Sequence, residues 1–118
     1  MATVDPVSVH PFETSLDVVV TTWSPLAADD VGGEVRLAVY SDRSVQVAGS
    51  FGGATCTIAG SNDGIEWHAL SGTDGAPLTF TSGGLRTIVE LPVFIKPRVF
   101  GGDGSTALRV VMSGRKSI

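Results

Sequence analysis

Apolar and polar residues alternate at every second position through most of this chain, in short runs that end at glycine, proline or acidic turn residues. Period-two alternation marks strands with one buried face, and its cleanest instance lies at 54–70. There Ala54, Cys56 and Ile58 alternate with Thr55 and Thr57. Ser61-Asn62-Asp63-Gly64 supplies turn residues that end in a glycine suited to positive φ, and Ile65, Trp67 and Ala69 resume the alternation. The spacing predicts a hairpin, with Trp67 on the inner layer beside Ile65 and Ala69.

The same grammar extends in both directions. Val18, Val19 and Val20 are continuous, so the run at 16–23 predicts a strand covered on both faces. A loop at 24–33, with Pro25, Asp29-Asp30 and Gly32-Gly33, leaves room for one helical turn at most. Runs at 34–40 and 44–50, joined by Ser41-Asp42-Arg43, predict a second hairpin in which Val35, Leu37 and Val39 oppose Val45 and Val47. Further strands are expected at 77–81, 85–91, 93–100 and 107–113. In 93–100, Val93, Ile95 and Val99 alternate with Phe94, Lys96, Arg98 and Phe100. Pro97 has no N–H for a ladder, which points to a sheet edge. Residues 1–15 read as an extended N-terminal arm, 16–113 as the folded domain and 114–118 as a loose C-terminal tail. Eight or nine short strands at roughly ten-residue spacing predict an all-β, antiparallel β-sandwich with a jelly-roll-like arrangement and no useful helix.

Composition narrows the class. Hydrophobic residues make up 42% of the chain and charged ones 17%, which excludes disorder and suits one domain with its own core. The exterior must then be built largely from Ser, Thr, Gly and Ala, as fits a protein that covers its surface with neighbours. A net charge of −4, with Arg115-Lys116 as the longest basic cluster, argues against nucleic acid as a partner. No apolar run is long enough to span a membrane, and the first residues lack the basic start and apolar stretch of a secretory signal, so neither membrane nor export is expected. The single cysteine, Cys56, makes no intrachain disulfide and suits a reducing cytoplasm.

Candidate chemistry is sparse. The Asp-Gly steps at Asp63, Asp74 and Asp103 invite calcium, but each loop carries one acid where a dedicated site needs three or more ligands, so they read as turns. Cys56, His10 and His68 lack the close-spaced pairs of a zinc site, and nothing orients either histidine against the thiol. Glu66 and Glu90 fall within expected strands with nothing to pair them for acid–base work. No catalytic residue, cofactor or metal is expected. Trp23 and Trp67 read as core. The row Phe94, Lys96, Arg98 and Phe100 reads either as a contact surface or as a solvated strand face.

The pattern from Ala54 through Gly60-Ser61-Asn62-Asp63-Gly64 and Trp67, continuing in Pro77-Leu78-Thr79-Phe80-Thr81 and Gly84-Leu85, resembles small β-sandwich proteins of tailed-bacteriophage virions. Ile95, Arg98, Val99, Gly101-Gly102-Asp103-Gly104 and the final strand extend the likeness over roughly 54–113. Chains of this length in that group are commonly capsid decoration or cement proteins, which clamp the outside of a shell of HK97-type major capsid subunits. The resemblance implies a noncatalytic virion protein on the capsid exterior, made in the host cytoplasm. It further implies a dimer or trimer whose partner is the major capsid protein. Contacts are expected from Pro6, His10 and Phe12 in the arm, from Phe94, Lys96, Arg98 and Phe100, and from Arg115 and Lys116 in the tail. Tail, fibre or head-completion proteins are the alternative within the virion. Discoidin-like lectin modules also carry a Gly-Ser-Asn-Asp-Gly turn followed by Trp, which would imply carbohydrate binding, but that match is confined to 58–70 and lacks the cysteine pair.

Overall fold

The computed structural model, which describes residues 2–11, 17–36 and 40–116, turns the alternation into two sheets. In chain order the strands are β1 (Thr3–Val4), β2 (Val7–Val9), β3 (Val18–Leu26), β4 (Val31–Gly32), β5 (Val35–Arg36) and β6 (Asp42–Ser50). There follow β7 (Thr55–Ser61), β8 (His68–Ala69), β9 (Thr79–Phe80), β10 (Gly84–Ile88), β11 (Phe94–Phe100) and β12 (Ala107–Arg115). Sheet A has the order β1-β4-β11-β7-β8, with β5 also paired to β11 and β9 to β7. Sheet B has the order β10-β6-β12-β3-β2. Pairing is antiparallel throughout except for β1 on β4. This is the all-β sandwich that the periodicity predicts.

The inward residues of the long strands make one core. Val19 and Trp23 of β3, Val45 and Val47 of β6, and Leu108, Val110 and Met112 of β12 face Cys56 and Ile58 of β7 and Ile95 and Val99 of β11. Each large side chain buried this way contributes about 1.5–3 kcal/mol. Trp23 is fully buried, and its Nε1–H donates to Gly33 O at 2.8 Å. That bond runs from a strand of sheet B to the end of a strand in sheet A, so one side chain supplies both apolar area and a polar tie between the layers.

Several expectations give way to non-local pairing. Pro97 lies within sheet A, between β7 and the β4/β5 pair, and not at an edge. Its partner Ile58 donates its N–H to Leu78 O on the far side, so Pro97–Ile58 is a non-hydrogen-bonded pair and the absent N–H costs nothing there. On its other side the ladder passes from β4 to β5, a gap that needs no donor. The hairpin expected from 34–50 does not form at Val35, because β5 pairs with β11 in sheet A whereas β6 joins β10 and β12 in sheet B. Leu37 and Val39 lie outside the described residues. Of the three consecutive valines only Val19 is buried, so β3 is covered on one face. It runs on to Leu26 through a bulge in which Ser24 and Pro25 oppose Arg109. The 24–33 loop holds β4 and no helical turn. Asp30 carboxylate oxygens accept from Ala2 N and Ala27 N, and Asp29 accepts from Gly101 N.

The chain ends are also more engaged than the sequence suggests. Residues 2–9 are extended, but β1 pairs with β4 and β2 with β3. Gly114 and Arg115, expected in a loose tail, belong to β12, and Lys116 N donates to Asp17 O at 2.8 Å.

Two tests follow from this packing. An added Cβ at Gly32 would stand 2.6 Å from Pro97 Cγ and Cδ and 2.8 Å from Trp23 Cδ1, and none of these atoms ends a flexible chain. Gly32→Ala is therefore expected to cost about 1–3 kcal/mol, read by chemical denaturation. Arg43, expected in a turn, points inward from β6, and its buried guanidinium has no acceptor among the described residues. Burial lowers its pKa. Arg43→Met keeps the apolar stem, removes the unpaired charge and is expected to raise stability by about 1–4 kcal/mol; a loss would show that the charge has a partner in solution.

Candidate contact surface on the outer face of sheet A

Alternation along β11 sends Ile95, Pro97 and Val99 inward and Phe94, Lys96, Arg98 and Phe100 outward. The outward row becomes a ladder of cations on aromatic rings. Arg36 from β5 lies over Phe94 with its guanidinium carbon 5.0 Å from the ring centre. Lys96 Nζ lies 4.1 Å from the centre of Trp67, and Arg98 lies 5.0 Å over Phe100. Such contacts are worth about 0.5–1 kcal/mol at exposed sites and, more to the point, hold long cationic side chains in place. Phe100, 47% exposed, keeps an accessible ring at one end. Thr57 and Thr79 flank the row with their hydroxyls 3.2 Å apart.

Trp67 and Arg36 join this row although sequence reasoning placed them elsewhere. The expected inner position of Ile65, Trp67 and Ala69 is incorrect: Ile65 is 83% exposed, Ala69 is exposed and Trp67 is half-buried beneath Lys96. Leu70 carries the signal that decides it. Leu70 is buried in the core, and strict alternation back from it sends Ala69 and Trp67 outward. The turn before them is tight, as predicted. Asp63 Oδ1 accepts from Ile65 N at 2.8 Å, Glu66 N at 3.0 Å and Ser61 Oγ at 2.9 Å, and these bonds, led by that from Ile65, hold its carboxyl below the usual carboxylate range.

The remaining candidates do not join the row. Pro6 is half-buried, with its ring carbon Cδ 3.1 Å from where a Cβ on Gly33 would stand. His10 is exposed, with Nδ1 3.0 Å from Val18 O. Arg115 pairs with Val18 and Asp42 at the same end of sheet B, and Lys116 Nζ lies 5.9 Å over Tyr40. Phe12 lies outside the described residues. Thus the eight described candidates fall into the β11 face, one end of sheet B and the start of sheet A.

A groove of about 480 Å³ is bordered by Asp63, Glu66, His68 and Glu90. Neither glutamate lies in a strand as expected. Glu90 accepts from Ser71 N at 2.7 Å, Asp63 is engaged in its turn, and Glu66 and His68 stand 3.9 Å apart in full solvent. Among the described residues no three His, Cys, Asp or Glu side chains converge as a metal site. Cys56 is buried, and desolvation pushes its thiol from 9.0 up to about 12. A raised pKa in the folded state means that this thiol's contribution to stability is intact below about pH 9 and is lost as the pH climbs towards 12. A thiol reagent is accordingly expected to modify Cys56 only as fast as the protein opens, with stability falling through that alkaline window; rapid labelling of the folded protein would contradict the placement.

No family model and no curated protein sequence matches the chain. The crystal structure of the SPBc2 prophage-derived protein YomS superposes with a TM-score of 0.61 at 14% identity, over 82% of this chain and 95% of that one. Weaker likenesses extend to protein NMB1881 from Neisseria meningitidis, with a TM-score of 0.40 at 13% identity over 94% of this chain and 82% of that one. IMPa from Pseudomonas aeruginosa, solved with an O-glycopeptide, gives 0.46 at 11% identity over 85% of this chain and 12% of its own.

Proposed function

We propose that this chain is a noncatalytic structural protein of a phage particle, and within the particle a capsid decoration protein that clamps neighbouring HK97-type major capsid subunits from outside. The observation that carries the phage reading is the fold shared with a prophage-derived protein over 82% of this chain and 95% of that one. The residue pattern at 54–113, which resembles virion β-sandwiches, supports the same reading, and the decoration role rests on that resemblance.

The β11 face suits attachment to the shell. A guanidinium or ammonium stacked on a ring keeps its outward N–H groups available, and Arg in particular matches a carboxylate in a bidentate fork. Arg36, Lys96 and Arg98 therefore suit an acidic stretch of the shell surface, with Phe100 offering an apolar anchor beside them. Attachment works by mass action: a protein that binds only the assembled lattice stabilises it according to affinity and concentration, and repetition over many sites multiplies the effect.

Quantitative mass spectrometry of purified particles is expected to find the chain at on the order of hundreds of copies, as a repeated lattice demands. A dozen or fewer copies would move it to the tail or neck, and absence would overturn the virion reading. Lys96→Glu and Arg98→Glu together are expected to lower shell occupancy at least about tenfold while leaving the fold intact.

A further inference from the structure

We infer that the outer face of sheet B is an interface between two copies of this chain. Register places two straight rows of side chains across all five strands of that face. One is Thr87, Ser44, Ser113, Val20 and Val9, and the other is Leu85, Gln46, Val111, Thr22 and Val7. Neither row holds a charge. The hydroxyls of Ser44 and Ser113 lie 3.0 Å apart and bond to each other, so the polar groups at the middle of the face are already partly satisfied. Among the described residues, charge on this face lies beyond the rows, with Asp42 beside Arg115 at one end and Arg109 at the other. An uncharged centre with a charged rim is the anatomy of a protein interface.

Exposure points the same way. Val7 is 64%, Val9 52% and Leu85 66% exposed. The face is also large enough. Three nine-residue strands with the shorter β2 and β10 beside them, at ~3.3 Å per residue and ~4.8 Å between strands, span about 550 Å². Two such faces stacked bury about 1,100 Å², above most lattice contacts and in the range of weak, reversible association.

A second copy is the fitting occupant because of charge and twist. Each copy carries −4, so like molecules repel except through a surface with no charge on it. Sheets packed face to face align within about 30° only when their twists agree, and an identical sheet meets that condition by construction. The face also lies in the other layer from the cationic β11 row, so self-association leaves that row open.

Sedimentation velocity of the purified chain between about 1 μM and about 1 mM is expected to show a monomer–dimer equilibrium, given the interface size. Leu85→Lys and Val9→Lys, both at solvent-facing positions that leave the fold unchanged by circular dichroism, are each expected to weaken the dimer at least about tenfold. Phe100→Lys on sheet A is expected to leave it as it is. A monomer throughout, a trimer, or a dimer indifferent to both sheet B substitutions would overturn the inference. Since no particle is involved, that failure would leave the decoration reading standing.

Discussion

Everything in this fold depends on how closely the two sheets approach at Trp23. The indole lies in the core from sheet B, its Nε1–H donates to Gly33 O in sheet A, and its Cδ1 lies against the backbone at Gly32. Gly32 has no side chain because Pro97 and Trp23 occupy the space a Cβ would take. That contact fixes β4 beside β11 and so sets the position of the strand that carries the outward cationic row. The same loop is tied by Asp29 and Asp30 to the end of β11 and to the first strand. The site on sheet A therefore inherits its rigidity from a contact on the opposite side of the same sheet.

The acidic residues have a consistent use. Asp29, Asp30, Asp63, Asp74, Asp103 and Glu90 all accept backbone N–H groups in loops. Asp74 also meets Arg86 at 2.9 Å, clamping the turn that precedes β9. Carboxylates fixed in this way stabilise turn geometry. The two outer faces differ: that of sheet A carries a row of cations on aromatic rings, whereas the centre of that of sheet B is uncharged, with Asp42, Arg115 and Arg109 at its ends.

Much of the fold was legible because alternation is local. The inward parity of β6, β7, β11 and β12 follows directly from sequence, as does the Asn62–Gly64 turn with its Asp63 cap. Pairing between distant segments is not local, and there the reading failed. Nothing near Val35 reveals that it joins β11 while Val45 joins the other sheet. Pro97 looked like an edge residue because a missing donor is visible in sequence, whereas a partner strand with no need of that donor is not. The β11 row was visible, but its completion by Trp67 and Arg36 was not, since it requires knowing that Leu70 takes the inward place and that β5 lies alongside. The proposed role in a particle is not written in the spacing and rests on resemblance.

In the proposed role the molecule is a rigid two-layer slab that acts through the area it covers. Cryo-electron microscopy of particles containing the chain tests this most directly. The account predicts density for the slab repeated over the outside of the shell, with the β11 face of sheet A turned towards the capsid subunits. Density confined to the tail or neck, or a slab held to the shell by sheet B, would contradict it.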